Sequence, residues 1–127
     1  VSLLNLGIVE LEMGRGRRAA RRLQEIDKLL PPGTAHGLRL YVEALRVACL
    51  ADGGAWDDAE DALEPLAERE RLPPDPDLAW LLEHAGNTAR EAGEAVLATE
   101  AWTLALGIAE ALGGDVEARI RAAMARL

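Results

Sequence analysis

Phenylalanine is absent from this chain, and its only aromatics are one tyrosine and three tryptophans. Valine and isoleucine are sparse, and no stretch alternates apolar and polar residues for long, which argues against half-buried strands. Only one cysteine is present, Cys49, so no disulfide can form within the chain. That fits a reducing compartment, and a cytoplasmic location is expected. Basic residues are in deficit, 14 Lys and Arg against 22 Asp and Glu, for a net charge of −8. A field of that sign repels phosphate backbones, so no nucleic acid partner is expected. No uninterrupted apolar run reaches the roughly 18 residues of a membrane span. The stretch read as most apolar, Leu38 to Ala51, is broken by Arg39, Glu43 and Arg46. No basic segment leads into an apolar one, so neither a signal peptide nor a membrane partner is expected. The chain opens at Val1 in mid-pattern and reads as a fragment of a longer protein.

What is present is alanine and leucine. Half the residues are hydrophobic, and alanine heads the helix-propensity ranking. A length of 127 residues suffices for one domain with its own core and no metal or disulfide staple. The pattern predicts about seven helices, near Leu3–Met13, Arg17–Leu30, Ala35–Ala51, Ala55–Arg69, Pro76–Ala92, Ala95–Leu112 and Asp115–Leu127. Pro31-Pro32-Gly33 stops the second helix and Thr34 is placed as N-cap of the third. Pro65 predicts a kink or early end in the fourth. Asp75-Pro76 is a strong start signal for the fifth, with Asp as cap and Pro at the first helical position. Asp115 is placed as cap of the last helix.

One motif recurs. Ala19-x3-Leu23-x2-Ile26 returns as Ala59-x3-Leu63-x2-Leu66 and as Ala98-x3-Trp102-x2-Ala105, each at a short offset after a glycine turn at Gly14, Gly53-Gly54 or Gly93. The spacing of roughly 40 residues lies in the range of helical solenoids. A hairpin buries one face alone, and stacking neighbours buries the rest.

These residues resemble tetratricopeptide repeats. The first copy reads Leu3-x2-Leu6-Gly7, Gly14, Ala19-x3-Leu23 and Pro31. The third reads Leu82-x2-Ala85-Gly86, Gly93, Ala98-x3-Trp102 and Ala105, while the middle copy fits best as Val42-x2-Leu45-Arg46 before its second helix. The period exceeds the family's usual value of about 34. Glu10 stands where a large aromatic is usual, and Arg46 where glycine is usual. The resemblance implies an all-α chain of antiparallel helix hairpins stacked as a right-handed tetratricopeptide-like superhelix. It is expected as a single domain, 1–127, with repeats at about 1–33, 34–74 and 75–114 and a C-terminal capping helix, 115–127. It also implies a concave groove lined by the first helix of each pair, binding a protein or peptide. Longer repeats of this kind resemble bacterial sensor or scaffold regions attached to signalling kinases and transcriptional activators.

The groove faces would present Leu4, Ile8 and Glu12, then Arg39, Glu43 and Val47, then Trp80, Glu83, Asn87 and Arg90. The partner-binding residues expected are Arg39, Glu43, Val47, Trp80, Glu83, Asn87 and Arg90, with Trp80 as anchor, since Trp and Arg are enriched at interface hot spots. Trp80 has an ordinary alternative, packing under Pro73-Pro74, and Arg39, Glu43 and Arg46 can form a helical ion-pair ladder. Arg15, Arg17, Arg18, Arg21 and Arg22 stand out in an acidic chain, and the favoured reading pairs them with Asp57, Asp58, Glu60 and Asp61 of the fourth helix.

Catalysis finds little support. His36 and His84 share no ligand spacing, and the position one turn after His84 is Thr88, so Glu83-His84 is no zinc motif. There is no phosphate loop and no nucleophile elbow, and Cys49 reads as core. No enzyme activity, metal or cofactor is expected. The function expected is protein–protein interaction, with a ligand-sensing segment of a signalling protein as the alternative. Self-association through the end repeats is compatible with an open-ended stack.

Overall fold

The computed structural model describes residues 2–30 and 36–126, apart from the side chain of His36. Seven helices, and no strand, lie in that part of the chain: α1 (Leu3–Glu12), α2 (Gly16–Leu29), α3 (His36–Asp52), α4 (Trp56–Ala67), α5 (Pro76–Glu91), α6 (Ala95–Leu112) and α7 (Asp115–Ala125). The fold is all-α. The expected stop at Pro31-Pro32-Gly33 and the Thr34 cap lie outside the described residues, as does Leu127.

Three of the turns share one geometry. Gly14, Gly54 and Gly93 have φ of 73°, 73° and 80°, a left-handed conformation that residues with a Cβ adopt at a cost. After each glycine the chain reaches back five residues. Arg15 N–H donates to Glu10 C=O at 2.7 Å, Ala55 to Leu50 at 2.9 Å and Glu94 to Ala89 at 2.8 Å. That bond, with the glycine's own bond one residue earlier, closes orphan carbonyls at the helix end. In each following helix the alanine of the motif closes the first turn, as Ala19, Ala59 and Ala98 donate back to the cap carbonyls of residues 15, 55 and 94.

Because the turns match, the motif residues fall on equivalent inward faces. Ala19, Ala59 and Ala98 are fully buried, and Leu23, Leu63 and Trp102 are buried beside them. The principal contacts join α1 with α2, α3 with α4, and α5 with α6, and then link neighbouring pairs through α2 with α3, α1 with α3, α3 with α5, and α4 with α6. α7 leans on α6 and buries Ile120.

Glycine decides one packing distance. A Cβ on Gly86 would sit 2.3 Å from Cδ1 of Trp102, so α5 and α6 meet as closely as they do because position 86 has no side chain. In the first pair the space over Gly7 is taken by Leu45 of α3, 3.1 Å from a built Cβ. At the corresponding place in α3, Arg46 points outward and donates to Asp27 of α2 at 2.7 Å.

Several expectations change. α4 ends at Ala67, short of Arg69, which agrees with the early end expected from Pro65 except that the helix runs two residues past it. The cap of α7 is Gly114, with no side-chain capping bond, and Asp115 is the first helical residue. α6, not the Leu38–Ala51 stretch, is the one described helix long and apolar enough by length and composition to cross a membrane; here one face of it, with Trp102, Ala105 and Ile108, lies in the core. The basic run of α2 makes no ion pair with the acids of α4 among the described residues. α2 lies on α1 and α3, and Arg22 pairs with Glu10 and Glu25. Asp57, Asp58 and Glu60 instead line an open acidic cleft of about 490 Å³ with Trp56 and Glu94.

Candidate functional site

α5 is the best-anchored helix for a site. Asp75 Oδ1 accepts from the backbone N–H groups of Asp77 at 2.9 Å and Leu78 at 3.2 Å, and Pro76 opens the helix. Eight of its residues are buried, so its polar side chains rise from a fixed base. They form two rows.

One row faces the end of α3. Trp80, His84 and Thr88 follow one another at four-residue spacing, the interval that stacks side chains on a helix face. The Trp80 and His84 rings stack at 5.0 Å with 18° between planes. His84 Nε2 lies 3.0 Å from Asp52 Oδ1, and Thr88 Oγ1 donates to the same oxygen at 3.3 Å and to its own helix, at His84 C=O, at 2.9 Å. Gly16 at the start of α2 closes on Asp52 from the other side, and a Cβ there would meet Oδ2 at 3.1 Å. The carboxylate therefore sits where α2, α3 and α5 converge, near the positive end of the α2 dipole. Around it opens a cleft of about 690 Å³, lined among others by Leu11, Arg17, Cys49, His84, Thr88 and Glu91. Burial, and then the Asp52 charge, push the Cys49 thiol up to about 12, against a smaller opposing effect of Arg46. A thiol held that firmly protonated is the reverse of an activated nucleophile.

The second row faces α6 and α7. Glu83 is only 6% exposed, and Arg119 of α7 grips it with both arms: Nε donates to Oε2 at 2.6 Å and Nη2 to Oε1 at 2.8 Å. The hydrogen bonds, and then the charge of Glu83, raise the pKa of Arg119. Asn87 Oδ1 accepts from Trp102 Nε1 at 3.1 Å, and the Arg90 guanidinium lies 5.7 Å from the centroid of the same indole. Between α5 and α7 remains a cleft of about 340 Å³, bordered by Glu83, Asn87, Arg90, Arg119 and Arg126.

The seven residues expected to line one groove lie in four places. Trp80 stacks on His84 behind the Asp52 cleft and is not one of the residues lining it. Glu83, Asn87 and Arg90 belong to the seam with α7. Arg39 and Glu43 line a separate cleft of about 350 Å³ with Leu40, Pro65, Leu66 and Arg69, between α3 and α4. Val47 is fully buried in the core and reaches no surface; α3 packs against α1, α2, α4 and α5, which leaves that face no exit to solvent. Within the expected ladder, Arg46 does pair with Glu43, at 3.5 Å, but its shorter bond is the one to Asp27.

Sequence reasoning passed over Asp52 and Arg119, and weighed His84 and Thr88 only as a zinc motif that the spacing rules out. The Trp80–His84–Thr88 spacing was visible as a helical row. The link to Asp52, 32 residues away from His84, carried no local signal. No group of three or more His, Cys, Asp or Glu residues that could hold a metal ion occurs among the described residues. No protein-family model, no curated protein and no solved structure matches this chain.

Proposed function

We propose that this chain is a protein-interaction module, a short right-handed tetratricopeptide-like stack with α7 as its end cap. Its Asp52 cleft takes a segment of a partner protein. The observation that carries the reading is that cleft of about 690 Å³, lined by residues from α1, α2, α3 and α5, so that successive hairpins share one recess. Its volume falls in the range of ligand sites, about 300–1,000 Å³. Its chemistry suits recognition: an imidazole held in place by the Trp80 indole stacked on it, a carboxylate, a hydroxyl and the apolar Leu11 offer contact area and hydrogen bonds. The three matched turns and the contacts between neighbouring pairs support a stacked arrangement.

The test is selection of a displayed random-peptide library on the intact chain, followed by binding to Trp80→Ala and His84→Ala variants checked for unchanged helicity. Enriched peptides lose affinity at least tenfold on either variant, a loss of about 1.4 kcal/mol. Peptides that bind the variants as well as the parent count against the cleft. A chain that enriches no peptide, yet gains thermal stability from a metabolite, is a sensing segment instead.

A further inference from the structure

We propose that α7 is a detachable self-ligand of α5: Arg119 occupies a guanidinium-recognising subsite built on Glu83, and a partner segment that displaces α7 brings an arginine to the same place. This rests on reading the chain as an interaction module, and it names the chemistry of the segment and the element that competes with it.

The two sides of the ion pair are held very differently. Glu83 belongs to α5, with eight buried residues and a side-chain cap, and its side chain is 8% exposed. Arg119 is 58% exposed and comes from an 11-residue helix with one buried residue, Ile120. The site is thus part of the body, and its occupant is a lightly held end element. The planar guanidinium fills both carboxylate oxygens at once, a match that the point charge of a lysine cannot copy.

The link from α6 to α7 is two glycines, the residues that restrain the backbone least. Gly113 and Gly114 are consecutive residues of positive φ, 73° and 90°. Gly113 N–H already closes α6 on Ala109 C=O at 2.8 Å, so α6 is terminated without help from α7. No side chain caps α7 at Gly114. The seam is incompletely filled, since a cleft of about 340 Å³ separates α5 from α7 beside the ion pair. Next to Glu83, the oxygen of Asn87 is taken by Trp102 Nε1, which leaves its amide NH₂ to donate.

The chemistry of the displacing segment follows from what α7 leaves behind. Glu83 is more than nine-tenths buried with α7 in place, so a segment that covers it as α7 does buries its carboxylate again, and an unpaired buried charge is strongly unfavourable. A neutral or acidic segment cannot relieve it. An arginine followed by an apolar residue can, taking the places of Arg119 and Ile120.

The probe is a fluorescein-labelled synthetic peptide of residues 115–126, with versions in which its arginine at the place of Arg119 is lysine or citrulline. The hosts are the intact chain and its Arg119→Ala and Glu83→Gln variants. Fluorescence anisotropy reads binding. The arginine peptide binds Arg119→Ala at least tenfold tighter than the parent, because the internal competitor has lost its grip. The lysine and citrulline peptides bind that host at least tenfold more weakly, and Glu83→Gln erases the preference for arginine. Equal binding to parent and Arg119→Ala, or equal binding of arginine and citrulline peptides, overturns the proposal. Should Glu83→Gln not fold, the peptide series on Arg119→Ala decides alone. Should Arg119→Ala not fold, hydrogen exchange of α7 in the parent replaces it: excess arginine peptide must speed exchange there and citrulline peptide must not, and the absence of that difference overturns the proposal. Arginine-dependent binding, with no library peptide sensitive to Trp80→Ala, keeps the subsite and removes the Asp52 cleft as the docking place. Library peptides that need Trp80, with no arginine preference at Glu83, do the reverse.

Discussion

Replacing Gly86 by alanine sets two effects of opposite sign against each other. In an exposed helix the change gains about 1 kcal/mol of helix propensity. At position 86 the new Cβ would stand 2.3 Å from Cδ1, 2.4 Å from Nε1 and 2.9 Å from Cγ of Trp102. Carbon atoms prefer about 3.5–4.0 Å. The indole cannot retreat cheaply. It is fully buried, and Asn87 and Arg90 hold it. Overpacking of this kind costs about 1–3 kcal/mol or more, and so rigid a neighbour puts it at the upper end. The net expectation is a loss of about 2 kcal/mol, or roughly 6–10 °C in Tm for a chain of this size. Gly107 is the control. It lies inside α6, and nothing stands within 4 Å of its built Cβ, so Gly107→Ala raises stability by up to about 1 kcal/mol. Gly7→Ala falls between, because its nearest atom is a terminal methyl of Leu45, 3.1 Å away, a milder clash than that with the indole. Urea titration followed by helicity and by tryptophan fluorescence gives all three values. A Gly86→Ala chain as stable as Gly107→Ala would refute the claim that α5 and α6 meet through the missing side chain.

Three further outcomes are expected. Arg119→Ala weakens protection of α7 amides from hydrogen exchange by about 1–2 kcal/mol, discounted for the exposed guanidinium, because it strands Glu83; Arg121→Ala, whose partners Glu110 and Glu117 are solvated, changes it by no more than about 0.5 kcal/mol. Cys49 rises from an ordinary 9.0 to about 12, mainly by burial, and Tyr41 from 10.0 to about 12, by burial and then by the hydrogen bond and charge of Asp75. Both folded-state values are raised, so this stabilisation is complete below about pH 9 and falls as pH climbs toward 12; urea midpoints decline across that window, and Cys49→Ala with Tyr41→Phe flattens the decline. Reversing Arg17 and Arg21 to Glu shifts stability by less than about 0.5 kcal/mol, with little change in salt dependence, since both are exposed and neither pairs with α4; a large salt-dependent loss would restore the pairing of α2 with α4.

The residues legible in advance were those whose role is settled within a few positions of chain. A left-handed turn demands glycine at Gly14, Gly54 and Gly93, and the alanine five residues on must be small and inward at Ala19, Ala59 and Ala98. Asp75-Pro76 could only begin a helix. These are local constraints of backbone geometry, and a single sequence carries them in full. Helical content and the burial of Leu23, Leu63 and Trp102 followed from them.

Which neighbour each helix face meets was a different matter. Successive residues of a helix point about 100° apart, so a modest rotation moves a side chain from groove to core or from one seam to another. Val47 went inside, Arg39 and Glu43 turned toward α4, and Glu83 turned toward an arginine 36 residues downstream. Asp52 looked like an ordinary helix end until His84 and Thr88 were brought to it. The chain's own letters determined that it would be helices joined by glycine turns at a recurring interval. Only the packed structure decided which polar groups meet, because that depends on how far each helix rolls to bury its leucines and alanines against the next.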